Sequence, residues 1–183
     1  ANRVRSCLES YGDSHLTLSN RYPWAAELDA SAPVNFGDDS GQRFGRVPAT
    51  LNESIASNVD LNTVWPPDPT NASVTCFNWS WWPQWRDQVF YAVNDNNAPS
   101  PVGGGALNVD GAPAEFVVLV SGRQQFAQLR ASAVDRGLIE SYLEGPNIPS
   151  LGAGTMPGGD ESFSTTGVGN SNDVLCDQIR CYD

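Results

Sequence analysis

The chain contains no lysine; all ten of its basic residues are arginines. That removes Schiff-base chemistry, the phosphate-cradling lysine of a P-loop and a lysine general base from consideration. Histidine is almost as scarce, with His15 alone, so a triad needing a separate histidine beside its nucleophile has no source for one. The ten arginines are scattered from Arg3 to Arg180 against 21 acidic residues, giving a formal net charge of −11. A nucleic-acid backbone or an anionic membrane surface is repelled at long range by such a chain, and neither is an expected partner. No stretch approaches the ~18 apolar residues of a membrane-crossing helix, and no charged-then-apolar signal peptide is present. The chain opens on Ala1-Asn2-Arg3 already in a helical pattern. That fits a natural start lying further upstream, and a mature N-terminus looks the same.

What is present describes one folded unit. A chain of 183 residues is long enough for a single domain with a proper core and short for two. Hydrophobic residues make up 40% and charged residues 17%, so solubility rests heavily on Ser, Asn, Thr and Gly. Four cysteines, Cys7, Cys76, Cys176 and Cys181, form an even set without a C-x-x-C pair, which favours two disulfides over zinc and an oxidising compartment over the cytosol. Three pairings are open to four cysteines; Cys7–Cys76 with Cys176–Cys181 is the favoured one, and buried free thiols are the alternative.

From Asn2 to Ser19 the positions Val4, Leu8, Tyr11, His15 or Leu16, and Leu18 recur every three or four residues, the stripe of an amphipathic helix, with Asn20 as its C-cap and Pro23 barring continuation. Residues 25 to 75 are rich in Pro, Asn, Asp, Ser and Gly, and predict a long irregular excursion with one short helix near 51 to 57. Gln88 to Val93 predicts a strand stopped by Asn94-Asp95-Asn96-Asn97. A short strand over 106 to 109 leads into an Asp110-Gly111 turn, and Glu115 to Val120 is the candidate central strand. Residues 124 to 143 predict a helix in whole or part, 148 to 160 a loop, and 162 to 166 and 174 to 179 two edge strands.

Trp79, Trp81, Trp82 and Trp85 crowd into seven residues. Trp82 and Trp85, beside a strand, are expected in the core. Trp79 and Trp81 are divided between the core and a binding surface on which sugar rings or a neighbouring subunit would stack. Gly12-Asp13-Ser14 is superficially like a serine-hydrolase motif, but its only histidine is the adjacent His15, pointing about 100° away on the same helix.

One set of motifs carries a family resemblance: Arg21-Tyr22-Pro23-Trp24-Ala25-Ala26, Phe44-Gly45-Arg46-Val47-Pro48, Trp81-Trp82-Pro83-Gln84-Trp85 running on to Val93, Phe116-Val117-Val118-Leu119-Val120-Ser121-Gly122-Arg123, and Tyr142-Leu143-Glu144-Gly145-Pro146-Asn147. Together with the order helix, long loop, sheet and cystine-bearing C-terminus, they resemble type IV pilin-like and pseudopilin proteins, which carry a prepilin-type cleavage and methylation segment. The resemblance implies an α+β fold with an N-terminal amphipathic helix packed on an antiparallel β-sheet. Residues 1–20 are then the remnant of the N-terminal helix with packing face Val4, Leu8, Tyr11 and Leu18, residues 21–87 a long loop region, and residues 88–183 the sheet and C-terminal disulfide region. It also implies an apolar helix half, absent here, that anchors the subunit in the bacterial inner membrane, facing the periplasm, or packs in a cell-surface pilus. Other pilin or pseudopilin subunits are the implied partners, and a minor subunit fits better than a major one because the long excursion would sit awkwardly in every repeat of a fibre.

No catalytic residue and no cofactor follow from the resemblance. Some pilin-like domains hold calcium in a C-terminal loop, for which Asp160, Glu161 and Asp173 are the candidates, though no acidic cluster has the spacing of a Ca²⁺ loop. Two other expectations stand beside the filament subunit: a secreted carbohydrate-binding module using the Trp79–Trp85 cluster, and a small extracellular hydrolase in which two acids converge.

Overall fold

Two five-residue runs, Val89–Val93 and Phe116–Val120, are the most continuously apolar in the chain, and they form the strands around which the rest is built. The computed structural model describes residues 2–14, 20–28, 36–37, 41–51, 64–100, 105–121, 129–143, 148 and 161–164. Its elements are α1 (Asn2–Asp13), β1 (Phe44–Arg46), β2 (Pro67–Asp68), β3 (Asn71–Thr75), α2 (Trp82–Trp85), β4 (Val89–Val93), β5 (Leu107–Val109), β6 (Ala112–Ala114), β7 (Phe116–Val120), α3 (Ala133–Gly137) and β8 (Glu161–Phe163). Single 3-10 turns at Arg86–Gln88, Asp95–Asn97 and Ile139–Ser141 connect them. This is a mixed α+β architecture whose sheet pairings are antiparallel but for one.

β4 is the middle strand of a sheet ordered β1-β4-β7. It pairs antiparallel with β7 from Val89↔Val120 to Val93↔Phe116 and with β1 from Phe44↔Ala92 to Arg46↔Phe90. The expected central strand, Glu115 to Val120, therefore flanks the centre, and Val89–Val93 holds it. Side chains alternate across a strand, so a run apolar at every position must be covered on both faces. Val89, Tyr91, Val93, Phe116 and Val118 face one hydrophobic cluster, which also takes in Val4, Cys7, Leu8 and Tyr11 of α1 and the rings of Trp65, Phe77, Trp79 and Trp82. Phe90, Ala92, Val117 and Leu119 belong to a second cluster with Leu107, Val109, Ala114, Phe163 and the 139–143 segment.

That second cluster is walled by the sheet β6-β5-β8. Asp110 and Gly111 join β5 to β6 with positive φ at both positions, 48° and 82°, the two-residue turn that matches the twist of a hairpin. Pro113 is tolerated in β6 because the strand lies at the edge. β8 pairs with β5 in parallel, which corrects the expectation of hairpin-linked antiparallel strands alone.

Several expectations shift. The 21–87 region is not loop throughout: it supplies β1 to the main sheet, the hairpin β2–β3 and the turn α2. Of the helix expected over 124–143, residues 124–128 lie outside the described residues, and among the rest Ala133–Gly137 is α-helical, started by a capping box in which Ser132 Oγ accepts from Asp135 N at 3.0 Å and Asp135 Oδ2 accepts from Ser132 N at 2.9 Å. Asn20 has the left-handed conformation expected of a C-cap (φ 61°), although α1 is described only to Asp13. Leu18, His15, residues 52 to 57 of the expected helix near 51 to 57 and the expected strand 174 to 179 lie outside the described residues.

Candidate functional site

Two links tie α1 to the segment around residues 67 to 79, and the aromatic cluster is built on them. The first is covalent: Cys7 and Cys76 form a disulfide with 5.8 Å between their Cα atoms across a sequence separation of 69. Cys176 and Cys181 lie outside the described residues, so the pairing expected for them is not addressed. A cystine of this kind persists in oxidising compartments, and among the described residues no helix is long and apolar enough to cross a membrane.

The second link is polar. Asp68 ends β2 with its side chain fully buried. Its Oδ1 accepts from Thr70 N at 2.8 Å and Thr70 Oγ1 at 2.7 Å, an Asx-type turn that closes the hairpin. Its Oδ2 accepts from Arg3 Nε and from Trp79 Nε1, each at 2.7 Å, and Arg3 Nη2 completes the ion pair. Burial alone works to raise the carboxyl pKa, but the hydrogen bonds from Arg3, Thr70 and Trp79 outweigh it and hold the group well below the usual carboxylate range. Nothing in the sequence marks Asp68 out. An acid between two prolines reads as a solvated turn, and only the fold brings Arg3 and Trp79 to it.

From this anchor the rings extend outward in order. The Arg3 guanidinium lies 4.6 Å from the Trp79 ring centroid, and Trp81 stacks on Trp79 at 4.8 Å with 13° between planes. Trp82 meets Trp79 and Trp81 edge-on, at 5.8 and 5.9 Å. Phe77 sits beneath, within 4.4 to 5.3 Å of Trp65, Trp79 and Trp82, and Trp65 reaches Tyr11 of α1 at 5.2 Å. Phe77 has φ of 63°, a left-handed backbone that a bulky residue adopts only when its surroundings enforce it; three ring contacts on its side chain do so here.

Burial divides the four tryptophans differently from expectation. Trp79 is interior at 5% exposed, as is Trp82, whereas Trp81 is 38% and Trp85 51% exposed. Trp79, a candidate for surface binding, is thus a structural ring held by Asp68. Trp85, expected in the core because it precedes a strand, instead lies on α2 one turn after Trp81. Helical spacing rather than proximity to β4 sets its direction.

The remaining candidates fall away from this cluster. Ser14 Oγ donates to the Tyr11 carbonyl at 2.7 Å, closing the end of α1. Among the described residues no group of three or more His, Cys, Asp or Glu is placed to hold a metal ion. Of the calcium candidates, Asp160 and Asp173 lie outside the described residues and Glu161 opens β8. A shallow groove of about 430 Å³ is lined in part by Trp65, Cys76, Phe77 and Asn78, with no charged side chain among its described lining residues. No family model, curated protein or solved structure matches this chain, so its site is defined by its own geometry.

Proposed function

We propose that this domain is the cap of a filament subunit of the type IV pilin-like class, a minor pilin or pseudopilin, which works by subunit packing and surface contact. The supporting observation is the buried stripe of α1. Val4, Cys7, Leu8 and Tyr11 share one buried cluster with Val89, Tyr91 and Val93 of β4 and Phe116 and Val118 of β7, and the helix is fastened at both Arg3 and Cys7. A helix so gripped along one face is suited to be the handle of the domain. The other subunits of the filament and, before assembly, the inner membrane are the partners this reading requires, reached through an apolar continuation of α1.

The test is the reading frame upstream of Ala1. It is expected to encode a short basic leader followed by roughly 20 apolar residues in helical register with α1. A frame that encodes a stop, or a polar segment, at that place overturns the proposal. As an independent check, cysteines paired between α1 and β4 in the reduced-background protein should cross-link only if the helix covers that face.

A further inference from the structure

Every residue from Phe77 to Trp85 is uncharged, a run of neutrality at the surface of a molecule whose net charge is −11. Within it Asn78, Ser80, Trp81, Gln84 and Trp85 are exposed. Trp81 is the N-cap of α2, in a helical conformation (φ −88°, ψ −17°), so Trp85 follows it at i+4 and projects from the same side of the turn, with about 5–6 Å between their Cβ atoms. Two indoles one turn apart present a pair of flat apolar surfaces at about the spacing of consecutive rings in a sugar chain.

We propose that the Trp81–Trp85 turn is a binding platform for a neutral glycan. Three features select that ligand class. The indole face offers a sugar ring the apolar surface its C–H groups stack on, and Trp81 is fixed for the purpose: Trp79 supports it from behind, Trp82 meets it edge-on, and Trp79 is itself pinned by Asp68 and Arg3. A platform that is already rigid loses little entropy on binding. The fringe is made of amides and a hydroxyl, groups that exchange hydrogen bonds with sugar hydroxyls. With its nitrogen turned inward, the Gln84 amide donates to the Trp81 and Ser80 carbonyls at 2.6 and 3.2 Å, which leaves its oxygen outward as an acceptor.

The third feature is electrostatic. Arg3 is already paired with Asp68, and the Phe77–Trp85 run offers no carboxylate to hold a cationic ligand, while an anionic one is repelled by the charge of the whole molecule. The groove lined in part by Trp65, Phe77 and Asn78 has no charged side chain among its described lining residues either, and Phe77 and Asn78 open the same uncharged run. The proposal is independent of the filament reading; it concerns a surface that any carrier of this domain would display.

Intrinsic tryptophan fluorescence of the full chain, titrated with cellohexaose, chitohexaose and maltohexaose up to about 5 mM and with heparin as a polyanion, tests it. A saturable spectral shift with at least one neutral hexasaccharide and none with heparin is expected. Trp85→Ala should weaken that binding about tenfold while leaving the melting temperature unchanged, because Trp85 enters no ring contact among the described residues. Trp81→Ala should weaken binding as well, and Trp85→Ala decides the matter if Trp81→Ala, which loses ring contacts with Trp79 and Trp82, fails to fold. Flat titrations with all three hexasaccharides overturn the proposal, as does a shift undiminished in Trp85→Ala. Sedimentation showing self-association that Trp85→Ala abolishes, with flat glycan titrations, also overturns it and reassigns the surface to a second copy of the chain.

Discussion

Asp68 collects five hydrogen bonds from three residues and is the polar centre of the aromatic cluster. Asp68→Ala would strand the buried Trp79 N–H and release Arg3, and is expected to cost about 3 kcal/mol, read from the shift in denaturant midpoint. The pH dependence has a definite sign. The folded carboxyl binds its proton more weakly than the unfolded one, so its contribution is complete above the ordinary carboxylate range and is lost as pH falls from about 4 toward the lower, folded value. Asp68→Asn should flatten that limb of the stability–pH curve; a variant that keeps the acid limb intact would show the carboxylate to be unimportant there. Gly45 is constrained by sterics instead. A Cβ at this position would lie 2.0 Å from the Ala26 carbonyl oxygen, which bonds Arg46 N at 2.9 Å, so Gly45→Ala must push two backbones apart and should destabilise by about 3 kcal/mol or more. Neither role is visible in the sequence, because both partners lie far along the chain.

α1 is the element where competing terms can be weighed. Gly12→Ala ordinarily gains about 1 kcal/mol of helix propensity. Here the new Cβ would stand 2.7 Å from the Tyr22 ring, which is packed edge-on against Phe116 at 4.7 Å and held by its hydroxyl donating to Glu115 Oε2 at 2.8 Å. The ring has little room to yield, so the clash wins and a net loss of about 1 kcal/mol is expected on thermal melting. β4, paired on both edges and covered on both faces, should have the slowest-exchanging amides of the described residues. Elements whose cause is local were readable in advance: β4 and β7 from continuous apolar runs, the β5–β6 turn from Asp-Gly, and the α1 stripe from its spacing. β1 was not, since an arginine in a buried strand is acceptable only because Arg46 lies 4.9 and 5.0 Å from the Phe90 and Tyr142 ring centroids and donates to the Arg136 carbonyl at 2.6 Å. The β2–β3 hairpin was equally hidden, being closed by side-chain bonds to Asp68 rather than by a hydrophobic period. Trp85 was misplaced for a related reason: its neighbour in sequence is a strand, but its direction is set by the turn before.

At the scale of the whole molecule, the charge of −11 makes the folded state repel itself. Raising NaCl from about 20 to 200 mM at pH 7 should therefore raise the melting temperature, and the effect should vanish near pH 4.3, the isoelectric point of the sequence. Salt-insensitive melting at pH 7 would mean that the acidic residues are too dispersed to matter. The cystine between Cys7 and Cys76 closes a large loop, and replacing both residues by serine should cost on the order of 4 kcal/mol by loop entropy. The same bond also sets the route that mechanical force takes. A pull applied at the N-terminal end passes through sulfur to Cys76, just beyond β3, so the chain lying between the two cysteines carries no tension, and a protease that cuts it there leaves both pieces still joined until a reductant is added.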